Sequence, residues 1–267
     1  MRNIYLILCF AVISTSLYAA DKKLKGNGKI VKKTISINDY NEISIAGSMD
    51  IEYMQKSGEP FLEITIDENI FPLVEVEQKN KQLIIGFKRE TRNNSYNSIQ
   101  PTVYKIKTNS KELAKLNAAG SGTFTIKDKI TMQKMEINMA GSGEVLLNGQ
   151  VSCDNLELNV AGSGEIIGKK LNISTNLSCN LTSSGTIHIA GKAPYASYNI
   201  SGSGRINGYD CRVDKVSANI VGSGDILVYA NNELSASVMG SGDIYYKGNP
   251  KKFSSSTKGS GSIIQAH

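Results

Sequence analysis

The tripeptide Gly-Ser-Gly recurs at a near-constant interval through the second half of this chain, and that recurrence limits the fold more than any other feature. It starts at Gly120, Gly141, Gly162, Gly202, Gly222, Gly240 and Gly259, with Ser183-Ser184-Gly185 filling the one gap. Successive starts lie 21, 21, 21, 19, 20, 18 and 19 residues apart. Gly47-Ser48-Met49 stands upstream as an outlier. A fixed period of this size marks a repeat architecture in which each unit is one supersecondary element.

The residues before each tripeptide alternate in polarity. Met135, Ile137 and Met139 precede one copy, Leu156, Leu158 and Val160 the next, then Leu177, Cys179 and Leu181, and the series continues to Leu234, Ala236 and Val238. Period two is the signature of a strand with one buried face. A second short strand follows each tripeptide, as in Glu144-Val145-Leu146-Leu147 and Asp225-Ile226-Leu227-Val228. Each unit therefore reads as strand, corner, strand, return. One such unit cannot bury its own apolar face, but stacked copies can, each adding strands in parallel about 4.8 Å from the last. Glycine admits positive φ at the corner without a Cβ clash. Crossovers between parallel strands are almost always right-handed, so the expected fold is all-β: a right-handed parallel β-helix, a solenoid of Gly-Ser-Gly coils.

The organisation follows from where the period holds. Residues 116–267 form the regular coils, and residues 21–115 are β-rich without the tight spacing, which predicts longer coils or a small meander capping the helix. Arg89 to Gln100, rich in Asn and Ser, reads as a mobile loop. The last unit, Phe253 to Gly261, replaces most apolar positions with Ser, Thr and Lys, as befits a terminal coil whose strand edge needs shielding.

Two columns emerge when the units are aligned. Three residues before the corner stand Asn117, Asn138, Asn159, Asn180, Asn199 and Asn219, then Ser237 and Ser256. Amides in register can bond to the coils above and below, so these form a structural ladder. Just after the corner come Thr123, Glu144, Glu165, Thr186, Arg205, Asp225, Asp243 and Ser262. Of these, Glu144, Glu165, Arg205, Asp225 and Asp243 make the candidate surface-binding column. Paired acids on adjacent coils also suit a lyase, a glycosidase or calcium. Calcium-binding repeats, however, use a nine-residue period, about half the one found here.

Little else in the chain points to chemistry. There is no nucleophile elbow, metal-binding helix or phosphate loop. The histidines are His188 and His267, and Cys153, Cys179 and Cys211 show no Cys-x-x-Cys spacing, so neither a zinc site nor a cofactor is expected. His188, between Ile187 and Ile189, reads as an outward-facing strand residue. Cys179 aligns with Leu158 and Ile137, which places it in the core as a small apolar residue that stays reduced.

The amino-terminal residues read as an export signal: Arg2, an apolar run from Ile4 to Ile13, then small residues up to Ala20 before Asp21-Lys22-Lys23. With residues 1–20 as signal peptide, cleaved after Ala19 or Ala20, the protein is expected in the periplasm, at the outer-membrane surface or secreted. No later run approaches the roughly 20 apolar residues of a membrane helix. The net charge of +6 is concentrated in Lys22, Lys23, Lys25, Lys29, Lys32 and Lys33, which suits a solvated leading strand or contact with anionic envelope glycolipid. Nucleic acid is not an expected partner, because no sheet interleaves aromatic and basic residues.

The stretch Tyr40-Asn41-Glu42-Ile43-Ser44-Ile45-Ala46-Gly47-Ser48-Met49-Asp50-Ile51, then Asp67-Glu68-Asn69, Leu73-Val74-Glu75-Val76, Leu83-Ile84-Ile85 and the Gly-Ser-Gly series resemble a bacterial family of unknown function described as putative autotransporter adhesin, head GIN domain, common in gut Bacteroidetes. The resemblance implies a superhelical β fold, related in shape to pectin lyases and acyltransferases but without their catalytic residues, and adhesion by analogy. With His267 as the last residue of the sequence, the membrane barrel of a true autotransporter is not expected. The expected function is a non-enzymatic adhesin or module binding a surface glycan or another envelope component. A carbohydrate-active enzyme and a purely structural envelope component are the alternatives.

Overall fold

The structure, a computed structural model, describes residues 23–88 and 98–266; the expected signal peptide, most of the expected loop and His267 lie outside the described residues. Its first strands are β1 (Lys23–Lys25), β2 (Ile30–Ser36), β3 (Glu42–Ala46), β4 (Asp50–Gln55), β5 (Phe61–Asp67), β6 (Val74–Lys79), β7 (Gln82–Phe87), β8 (Ser98–Gln100) and β9 (Tyr104–Ser110). Then come β10 (Lys115–Gly120), β11 (Thr123–Ile126), β12 (Ile130–Thr131), β13 (Lys134–Gly141), β14 (Glu144–Gly162), β15 (Glu165–Ser183), β16 (Thr186–Gly202), β17 (Arg205–Gly222), β18 (Asp225–Gly240), β19 (Asp243–Lys247), β20 (Lys252–Gly259) and β21 (Ile263–Gln265). From β10 onward every pairing is parallel, and the chain forms a β-solenoid of about eight turns.

Each coil has three sides, one more than the sequence pattern suggests. The first face carries the strand before the corner, with Leu156, Leu158 and Val160 pointing inward; the second carries the strand after it, such as Ile166. The stretch read as a plain return holds a third short strand, seen in β12 and in Val151–Cys153 of β14. The ladder slips between Leu147 and Gln150 and again between Cys153 and Asn155, and these slips are the two bends that turn the chain. Alternation continues through the third face, so Val151, Cys153, Leu171, Ile173, Cys211 and Val213 are all buried. Each buried Leu or Ile side chain contributes about 1.5–3 kcal/mol of hydrophobic transfer, and register makes that contribution repeat from coil to coil.

Two glycines build each corner for different reasons. The first adopts φ between 118° and 140° at Gly120, Gly141, Gly162, Gly202, Gly222, Gly240 and Gly259. Ser183, its counterpart in the one variant unit, holds φ 94° against the preference of an L-residue. The second glycine has no room for a side chain: a Cβ on Gly143 would lie 2.6 Å from the carbonyl oxygen of Gly122 in the coil before it. Gly47, which the spacing sets apart as an outlier, belongs to the same column. Its φ is 129°, its N–H donates to the Ala119 carbonyl at 2.8 Å, and a Cβ on Gly120 would meet its oxygen at 2.1 Å. It is the first corner, and Met49, buried, fills the place that glycine holds elsewhere.

Between that corner and Gly120 the chain makes a long excursion that caps the stack. On the first face β3 pairs with β10 on one side and β7 on the other, and β6 then runs antiparallel to β7. On the second face β4 lies between β11 and β9, followed by antiparallel β5 and β2. The region is thus a continuation of the coils and a meander together. Ser98–Gln100, expected within a mobile loop, instead pairs as β8 in parallel with β1. Asp67, buried in the cap, accepts from the Gly28 and Thr102 N–H groups and from the Thr102 hydroxyl. Burial alone would raise its pKa, but the Thr102 hydroxyl and the backbone donors hold the carboxyl below the usual range. At the far end β20 pairs with β18, every residue of it exposed, and Phe253 packs its ring against Tyr246 at 5.3 Å.

Candidate binding faces

The asparagine column runs along the outside of the first face, half-buried. Asn138 Nδ2 donates to Asn117 Oδ1 at 3.0 Å, Asn159 to Asn138 and Asn180 to Asn159 at 2.8 Å, Asn199 to Asn180 at 2.9 Å and Asn219 to Asn199 at 3.0 Å. The second amide proton of each goes to a side chain two residues back, Glu136, Glu157, Ser178, Ser197 or Ser217. Asn117 ends the series on Glu42 and Ser44, which Gln82 also contacts. The Asn138 amide, followed by the Lys115 ammonium, holds the Glu136 carboxyl below its ordinary range.

Beside the ladder runs a row that sequence reasoning missed. The residue preceding each first corner glycine is Ala46, Ala119, Ala140 or Ala161, then Thr182 and Ser201, all paired in register. Small side chains there leave a trough of about 470 Å³, walled by the asparagines, with Ile84 at one end. Further along, the same row changes to Val221 and Met239, 55% and 52% exposed. The signal lies in the aligned units, one position past the last inward residue, where a run of small side chains carries no alternation to mark it.

The second face carries the column of acids. Register places Glu144, Glu165, Thr186, Arg205, Asp225 and Asp243 side by side on successive coils. Arg205 Nη2 lies 2.6 Å from Asp225 Oδ2, and His188 Nε2 lies 3.4 Å from Glu165 Oε1. Asp243 accepts from the Ser262 N–H at 2.8 Å and from the Tyr245 hydroxyl at 3.1 Å, which raises the Tyr245 pKa. A parallel outward row follows: Leu146, Ile167, His188, Asn207, Leu227 and Tyr245. Tyr209 lies beneath the Lys247 ammonium at 4.8 Å, and the Arg212 guanidinium stacks on Tyr229 at 4.6 Å, so the carboxyl-terminal half of the molecule is rich in aromatic surface.

This arrangement bears on the chemistry considered from the sequence. Arg205 is committed to Asp225, and the Thr186 coil separates it from Glu165. Among the described residues, no group of three His, Cys, Asp or Glu side chains is placed to hold a metal ion, and no helix is long and apolar enough to cross a membrane. Cys153, Cys179 and Cys211 are buried and free; burial pushes the Cys153 and Cys211 thiols up to about 12.

A family model described as "Putative auto-transporter adhesin, head GIN domain" matches residues 39–169 and 141–250. Among solved structures, a putative lipid binding protein from Parabacteroides distasonis shares 48% identity, with a TM-score of 0.88 over 92% of this chain and all of that one. A putative adhesin from Parabacteroides merdae and another from Parabacteroides distasonis each share 32% identity, with TM-scores of 0.85 over the same proportions. No curated protein matches the chain. With the family model spanning both cap and coils, the chain belongs to the auto-transporter adhesin, head GIN domain family.

Proposed function

We propose that the protein is a non-enzymatic binding module of the cell envelope, exported by its amino-terminal signal, that holds an extended surface glycan across the second face. The observation that carries this reading is the recurrence of Asp225, Asp243 and their row at single-coil spacing beside Tyr245 and Leu227. Carboxylates accept bonds from sugar hydroxyls, while aromatic and aliphatic surfaces receive the apolar faces of the rings. Sites repeated about every 4.8 Å engage a polymer at several points, so weak single contacts add up to firm retention. Affinity electrophoresis through gels containing polysaccharide tests this: retardation is expected, with free monosaccharide a poor competitor. Asp225→Ala combined with Asp243→Ala should abolish most of it. Unchanged retardation in that variant, or release of unsaturated or reducing-end products, overturns the reading.

The trough on the first face supports a second reading. Its alanine floor and mostly apolar lining suit an acyl chain, and the relative at 48% identity is described as a putative lipid binding protein. Because the two candidate sites lie on different faces, Ala140→Gln should impair fatty-acid binding and leave polysaccharide retardation intact.

A further inference from the structure

Parallel stacking leaves an open strand at each end of the first face. Among the described residues, β6 pairs only with β7 and β20 only with β18. The two edges differ in charge, β6 carrying two glutamates and Lys79 and β20 two lysines and no acid. Glu75 and Glu77 of β6 are exposed, and so are Lys252 and Lys258 of β20. An unpaired edge is a template for another strand, and charged residues on it decide which strand is accepted.

We propose that copies of this chain associate head to tail, β20 of one adding to β6 of the next. The direction follows from topology: β6 runs opposite to β7, and β7 runs with β3, β10 and every later strand of that face including β20, so the junction is antiparallel. Directly opposed residues of an antiparallel pair share a face. On the outer side the register that sets Lys258 against Glu75 also sets Ser256 against Glu77. On the inner side it sets Thr257 against Val76, which already packs on the core. The alternatives are less favourable: two β20 strands centred on Ser255 would oppose Lys252 with Lys258, two β6 strands centred on Val76 would oppose Glu75 with Glu77, and the shifted β6 register that sets Glu75 against Lys79 still sets the two copies of Glu77 against each other. On the second face the leading edge strand is β2, whose Lys32 is paired with Glu63, and the trailing edge strand is β21, which carries no charged residue. A head-to-tail contact therefore joins unlike charges on the first face, and it is heterologous. Such heterologous contact does not close on itself and gives an open series of copies.

Sedimentation velocity on the full chain, across a wide concentration range and at low and high salt, tests the proposal. The average mass should climb with concentration past two copies and fall back in high salt, since these pairs are exposed and screened. Glu75→Lys with Glu77→Lys should remain single, as should Lys252→Glu with Lys258→Glu, each with an unchanged thermal midpoint. An equimolar mixture of the two variants should regain association, because every junction between unlike variants again joins opposite charges. A single copy at all concentrations, a mass that stops at two copies, variants that associate like the parent, or a mixture that fails to recover overturns it. The outcome is independent of which face holds a ligand.

Discussion

The coils after Gly120 and the cap before it use the same alternating strands, yet one position demands opposite residues in the two regions. In the coils the last corner residue must be glycine, because the corner of the preceding coil lies against it; at the first corner no preceding corner is present among the described residues, and Met49 fills the space. The repeat is thus a property of neighbours. A residue type recurs only where the coil above and the coil below present the same surface.

The largest test of that contrast exchanges the requirement. Gly242→Ala places a Cβ 2.1 Å from the Gly224 carbonyl oxygen and should cost about 3 kcal/mol or more. Met49→Gly, which makes the first corner resemble the others, should also destabilise, by about 2–5 kcal/mol, through the cavity it leaves. Chemical denaturation of both variants checks the pair; a neutral Met49→Gly would mean the first corner is no different from the rest.

The cap should differ from the coils in acid. Asp67 has a folded pKa below its unfolded value, so its contribution is complete above roughly pH 4 and is lost as pH falls through the lowered native value. Hydrogen exchange should accordingly show β1, β2 and β5 opening in acid before β14 to β17, and Asp67→Asn should remove that pH dependence. Equal loss of protection in both regions would contradict it.

Within the coils, Asn159→Leu leaves Asn180 without its acceptor and Asn138 without its donor, at a cost of about 1–3 kcal/mol. An unchanged midpoint would mean that water replaces the rung freely. The smallest effect should come from Ser183→Gly, which relieves a positive φ and restores the repeat, with a gain of about 1 kcal/mol seen as a raised melting temperature.

Legibility followed the same division. Alternation placed Leu158, Cys179 and Ile220 inward and the six asparagines in one column, because local pattern and stacked neighbour agree there. It did not reveal the third strand of each coil, since Val151 to Cys153 is too short to show a period and its bends carry no shared tripeptide. Nor did it place Gly47 in the corner column: β5 to β9 lie between that corner and the next, and only tertiary pairing brings β3 beside β10. The acidic column was legible as a row of residues, but its partners Tyr245 and His188 became meaningful only once register set them beside Asp243 and Glu165.

The asparagine ladder has one sense throughout, each amide giving its proton toward the amino-terminal end and offering its oxygen toward the other. A unit copied and inserted anywhere between Asn138 and Asn199 would find an acceptor before it and a donor after it, with every rung of the ladder satisfied. Growth by duplication of a single coil is therefore nearly free of penalty in the interior and costly only at the cap and the last coil, where the partners differ in kind. Length in such a molecule is a variable that duplication can change one coil at a time without disturbing the fold.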